Sequence, residues 1–217
     1  MAESTDQVLG FLDQLATHAK GSAVEEFAQL CDFARITFGA ATVDPWDVAF
    51  FGEKLKESLF SVSEETLRPY FPAPTVIQGM FKVVHQLFDL EIVQVNEITT
   101  WHPDVTTYQV SKNGEVIARF YLDLYARSAK QGGAWMAGSR IRRRRNDGSL
   151  QLPVAYLTCN FSSPVGDQPA LLTHNEVVTL FHESGHGLHP MLTRVACAYG
   201  SGINGVARDD VALSYPA

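Results

Sequence analysis

Apolar residues recur at helical spacing from Gln7 to about Gly39, as Val8, Phe11, Leu12 and Leu15 and then Val24, Phe27, Leu30, Phe33 and Ala34. That period predicts two amphipathic helices joined near Lys20-Gly21-Ser22, each with one buried stripe. Asp44-Pro45-Trp46-Asp47 sets a capping side chain before a proline and so opens a third helix, from Asp44 to Leu59. Ser63-Glu64-Glu65 leads into Tyr70-Phe71-Pro72, and Pro74-Thr75 begins a fourth helix through Phe88. The pattern then turns from helical to alternating. Glu91 to Val95, Thr107 to Val110 and Glu115 to Leu124 read as strands, with Lys112-Asn113-Gly114 turning a hairpin between the last two. Ser128 to Asp147 reads as irregular, Val154 to Phe161 as a further strand, and Leu171 to Val195 as helical. There is no internal repeat and no low-complexity tract.

The fold class expected is therefore mainly α with a small β-sheet: helical over residues 1–90, a small sheet over 91–161, and a helix at about 173–195. With 217 residues of which 46% are hydrophobic, the chain can bury a substantial core in one large domain or two small ones. A net charge of −7 argues against a nucleic-acid or anionic-membrane partner. Arg140 and Arg142 to Arg145 form the one basic cluster; being short and free of interleaved aromatics, it reads as a solvated loop. Lys130-Gln131-Gly132-Gly133 lacks the spacing of a phosphate loop and reads as a tight turn. The three cysteines, Cys31, Cys159 and Cys197, are odd in number and widely spaced, which encodes neither a disulfide framework nor a cysteine metal site. No basic segment followed by an apolar one opens the chain, and no stretch approaches the roughly 20 apolar residues of a membrane span. A soluble, cytoplasmic protein is expected.

Thr173-His174-Asn175-Glu176 has the form of a capping box directly before the apolar run Val177, Val178, Leu180 and Phe181. Inside the helix this opens stands His182-Glu183-Ser184-Gly185-His186, which fits His-Glu-x-x-His. Two imidazoles at i and i+4 share a helix face and can close on one zinc ion, while the intervening glutamate reaches a water on that ion. Zinc lowers the pKa of such a water to about 7, and a glutamate can then act as general base in peptide hydrolysis. His182 and His186 are thus candidate ligands for one Zn2+ ion, and Glu183 is the candidate catalytic base. The five-residue pattern also arises by chance on amphipathic helices. The glycines at 185 and 187 weigh against chance, since each costs about 1 kcal/mol in a helix interior. His189 continues the same face and is read as a residue that supports the ligands from behind or packs, and is not counted as a ligand.

At this point the chain resembles the thimet oligopeptidase and oligopeptidase A family of zinc metallopeptidases. The likeness runs through Tyr70-Phe71-Pro72, Trp101-His102-Pro103-Asp104-Val105, Phe120 to Arg127, Lys130 to Trp135, Leu152 to Phe161 and Ala170 to Arg194, and then Ser201-Gly202-Ile203-Asn204-Gly205. It implies a zincin-like catalytic domain within a helical oligopeptidase, with a deep channel and endopeptidase action on short peptides. By that likeness His182 and His186 hold zinc and Glu183 is the base. The strand Val154 to Phe161 then either offers an edge to which an extended substrate adds its backbone or is a core strand only.

The resemblance also marks departures. The family completes its zinc site with a glutamate in a Glu-x-Pro-Ser-Gln context, whereas here Ala212 stands at that place and Asp209 or Asp210 are the nearest substitutes. Ser184 replaces the family's phenylalanine, and Pro190 lacks the amide hydrogen that would bond back to His186, so the helix is expected to kink or end near His189. The family's preceding helical region and its later helices have no counterpart in these residues, which implies a partial catalytic domain over 1–217. Two functions follow: a zinc metalloendopeptidase, or a truncated or decayed remnant that at most binds peptides.

Overall fold

The structure is a computed structural model that describes residues 3–61 and 63–204. These fall into two compact units, one up to Thr66 and one from Leu67 onward.

In the first unit, α1 (Thr5–Phe38) is one continuous helix, not the expected pair. Gly21 lowers helix propensity but leaves the backbone ladder intact, and no proline or left-handed residue interrupts it. Ser4 caps the start by accepting from the Gln7 amide, and Gly39, at φ 69°, closes the end with its N–H on Ala34 and Arg35 carbonyls. The third helix begins later than expected, as α2 (Val48–Phe60); Asp44 to Asp47 form a turn in which the Asp47 carboxylate accepts from the Asp44 amide. Leu30, Ala34 and Phe51 bury against Ala40, Val43 and Leu55, and the Phe38 and Phe51 rings lie 5.5 Å apart. The stripe of Val8, Phe11, Leu12 and Leu15, expected to be buried, is exposed.

The short turn α3 (Glu64–Leu67) and a 3-10 turn at Arg68–Tyr70 lead to α4 (Ala73–Phe88). The sheet strands are β1 (Glu91–Gln94), β2 (Thr106–Lys112), β3 (Glu115–Tyr125), β4 (Trp135–Arg140) and β7 (Val154–Phe161), in the order β1-β2-β3-β7-β4. A separate two-stranded hairpin joins β5 (Arg143–Arg144) to β6 (Leu150–Gln151). The β2–β3 turn is the expected one: Asn113 and Gly114 both take positive φ, the signature of the tight turn that matches strand twist. The segment from Ser128 to Asp147, expected to be irregular, contains β4 and β5.

Alternation along the strands decides the layers. Ala118, Phe120, Leu122 and Leu124 of β3 and Ala155, Leu157, Cys159 and Phe161 of β7 are buried in one core with Val76, Met80, Phe81 and Val84 of α4. The last helix, α5 (His174–Leu192), joins this core through Leu180 and Met191. Its start is tied to that of α4, because the Ala73 amide donates to Ala170 and the Leu172 amide to Phe71.

Pairing of β3 with β7 is parallel and that of β4 with β7 antiparallel, so β7 is bonded along both edges. Of the two readings of Val154 to Phe161, substrate edge or core strand, this decides for the core strand: it is an interior strand. Among the described residues the free edge beside α5 belongs to β4. None of the described helices is long and apolar enough to cross a membrane.

Candidate functional site

Helix α5 carries the expected capping box in both directions, Thr173 accepting from the Glu176 amide at 3.1 Å and Glu176 accepting from the Thr173 amide at 2.8 Å. This fixes the helix origin and hence the phase of every later side chain. The helix runs past Pro190 to Leu192, two residues beyond the proline, instead of ending near His189. Gly202, at φ 61°, lies against the Pro190 ring; a Cβ there would stand 2.9 Å from Pro190 Cβ.

Gly187 explains one of the two helix glycines. A Cβ at this position would meet Leu157 Cδ2 at 2.8 Å and Met191 Cε at 3.5 Å, so the missing side chain is what lets α5 approach β7. Leu157 is 1% exposed and has no free direction in which to yield. Gly187→Ala gains up to about 1 kcal/mol of helix propensity but overpacks the core by about 1–3 kcal/mol. A net loss of stability is expected, read as a lower urea midpoint with an unchanged slope.

His182 and His186 are brought together. Their rings are 4.5 Å apart and nearly perpendicular, and the two Nε2 atoms face each other at 2.9 Å. One N–H lies between them, donated by one ring to the lone pair of the other. Burial, with the charge of His182 added, holds the pKa of His186 below its ordinary value and so favours the neutral ring that binds metals. The buried Nδ1 of His186 has no hydrogen-bond partner among the described residues. Two convergent imidazole nitrogens fit a zinc ion, which prefers nitrogen and sulfur donors in a tetrahedral shell with ligand nitrogens roughly 3.3 Å apart. Among the described residues no third His, Cys, Asp or Glu completes a cluster. Asp209, Asp210 and Ala212 lie outside the described residues. His189 is exposed, which does not fit the reading of it as a packing residue.

Glu183 is 6% exposed. Burial raises its pKa, and the charge of His182 and a hydrogen bond from the Met136 amide offset this only in part. Met136 lies on β4, so the glutamate is held by the strand whose other edge is free. Ser184, on the core side, donates to Leu180 O at 2.7 Å and meets Met80 Sδ at 2.8 Å. Cys159 is fully buried and its thiol is pushed up to about 12 by burial, then by the charge of Glu183, which removes it as a thiolate donor.

Sequence reasoning missed what sets β4 in place. Asp123, 4% exposed, accepts both arms of Arg127 at 2.7 Å, Lys130 Nζ at 2.9 Å and the Trp101 indole N–H at 3.2 Å. Lys130 also donates to the carbonyls of Asp123 and Tyr125, while Asn160 donates to those of Gln131 and Gly133 at 2.7 Å. The glycine-rich turn is therefore pinned at both ends before it enters β4. A charged residue inside the apolar run Phe120 to Tyr125, followed by Arg127 and Lys130, was the available signal.

The profile of peptidase family M3 matches residues 1–214. Oligopeptidase A of Escherichia coli (strain K12) is 50% identical over 214 residues, which are 98% of this chain and 32% of that protein. The probable cytosolic oligopeptidase A of Arabidopsis thaliana is 38% identical over 221 residues, covering 97% of this chain and 31% of that protein. Dipeptidyl carboxypeptidase of Escherichia coli (strain K12) is 36% identical over 206 residues, 94% of this chain and 30% of that protein. The chain thus spans about a third of the length of the curated relatives it matches.

Proposed function

Because this chain belongs to peptidase family M3, we propose that it is the zinc-binding and catalytic portion of a cytoplasmic metalloendopeptidase acting on short peptides, built on a zincin-like scaffold. The observation that carries this reading is the convergence of the His182 and His186 Nε2 atoms, 2.9 Å apart, beside a buried glutamate tied to a free sheet edge.

His182 and His186 would hold the ion. When bound, zinc supplies a Lewis acid that polarises the scissile carbonyl and acidifies water enough to attack it near neutral pH. An extended peptide adds its backbone to the open edge of β4, where strand amides and carbonyls give main-chain affinity without sequence demands. Glu183, held by the Met136 amide of that strand, then lies beside the peptide bond to be cut. It takes the proton of the attacking water and returns it to the leaving amine. Its raised pKa suits a group that must both accept and release a proton.

A second reading, a chain that binds peptides without cutting them, is favoured by Ala212 at the place of the family's third ligand. Zinc content after purification and dialysis separates the two. About one zinc per chain, lost in both His182→Ala and His186→Ala, is the expected result. A metal-free chain that still binds peptides, equally well in both variants, would leave only the second reading.

A further inference from the structure

Resting on the reading of β4 as the peptide-receiving edge, we propose that the site prefers peptides with acidic residues in one flank, recognised by the arginine hairpin that continues from the far end of that edge. β4 has Met136 beside Glu183 near its start and ends at Arg140. The chain then passes directly into the β5–β6 hairpin, whose Arg144 amide donates to Ala196 O in the segment that follows α5. The five arginines of the basic cluster are therefore not a detached loop. They follow the open edge directly in the chain, and the bond from the Arg144 amide to Ala196 O ties the hairpin to the segment after α5.

Apart from the pull of Arg145 on Asp147, their charges are uncommitted among the described residues. Arg140, Arg143, Arg144 and Arg145 are exposed, and none of the five forms an ion pair among the described residues. Arg144 donates to the Gly148 carbonyl, Arg145 reaches Gln151 at 3.4 Å, and the buried Nε of Arg142 has no hydrogen-bond partner. Asp147, the acid of the same hairpin, accepts instead from the Ser149 amide and hydroxyl. In a chain of net charge −7 this concentration of positive charge is local to the hairpin.

A peptide extended along β4 advances about 3.3 Å per residue, so the position opposite Arg140 lies about four residues from the one opposite Met136. Residues at that distance and beyond meet the guanidinium groups, whose planar fork matches a carboxylate in two-point contact. A nucleic acid fits less well: the hairpin offers no aromatic ring for base stacking, and a phosphate backbone has no amides or carbonyls with which to extend a sheet.

The test uses fluorescein-labelled peptides with a neutral, strand-forming centre and three glutamates in either the amino-terminal or the carboxy-terminal flank. Glutamine counterparts serve as reference, and binding to the whole chain is followed by anisotropy. One glutamate flank should tighten binding roughly three- to twentyfold over its glutamine counterpart, the range two exposed ion pairs supply, and the other should not. The gain should vanish in an Arg140→Gln, Arg143→Gln double variant and near 1 M salt, where the Debye length is about 3 Å. Arg144 is left in place because its side chain donates to the Gly148 carbonyl across the hairpin turn. Equal gain from both flanks, no gain from either, or displacement of the acidic peptide by a single-stranded oligonucleotide at lower concentration would overturn the proposal. Alternate N-methylation of the glutamine peptides separates this from the underlying reading. If the neutral peptides bind and lose binding on methylation, the edge stands and only acid selectivity is in question; if they never bind, or methylation changes nothing, the edge reading itself fails.

Discussion

Glu183→Gln should lower peptide cleavage by roughly 10²–10⁴-fold, the loss typical of removing a general base, equivalent to about 3–5 kcal/mol of barrier. The amide keeps the shape of the carboxylate and can still accept from the Met136 amide, but it cannot take a proton. Because burial already disfavours the charged carboxylate, the neutral side chain should leave thermal stability unchanged or slightly raised. A quenched-fluorescent short peptide, assayed with the zinc-loaded chain and its variant alongside a melting curve, gives both readouts. Equal cleavage by both chains would reduce Glu183 to a structural role, and no cleavage by either with zinc bound would favour the peptide-binding remnant.

Asp123→Ala should cost about 3–5 kcal/mol of stability, the penalty for breaking a buried ion pair and leaving its partner uncompensated. Lys130 is as buried as the aspartate, its side chain 5% exposed, and cannot turn to water in place. Urea unfolding measures the loss. Hydrogen exchange should locate it, with protection falling first in the 126–134 turn and in β4.

The same carboxylate has a pH signature. Burial by itself would raise its pKa, but the hydrogen bonds from Arg127 and Lys130, the Lys130 charge and the Trp101 indole hold it at about 2 against an ordinary 3.8. A folded-state pKa below the unfolded one contributes stability above the unfolded value and loses it as pH falls through the folded one. About 2 kcal/mol should therefore drain from the parent between roughly pH 5 and pH 1. The variant lacks this part of the acid sensitivity.

Much of the fold was legible because its signals are local. The Thr173-Glu176 capping box, the Asn113-Gly114 turn, the alternation of β3 and the strand-favouring residue types of β7 each depend on a few neighbouring residues, and each lies where the sequence put it. Misreadings came where a local signal was given too much weight or where distant residues decide. Gly21 looked like a break, but a single glycine without a proline or a left-handed turn does not stop a helix. β4 looked irregular because Ala137, Gly138 and Ser139 carry little strand propensity; pairing with β7 and the Asp123 and Asn160 anchors hold it extended.

By itself, then, the sequence determined the helix that carries His182, Glu183 and His186 and the phase that sets the two histidines on one face, since helical geometry alone makes i and i+4 neighbours. It also determined the family, through segments spread over nearly the whole chain. Only the tertiary structure decided which strand has a free edge, that Met136 ties this edge to Glu183, and that the arginine hairpin continues from its end. Strand order and the contacts it creates join residues far apart in the chain, and no local pattern of hydrophobic and polar positions encodes which edge is left open.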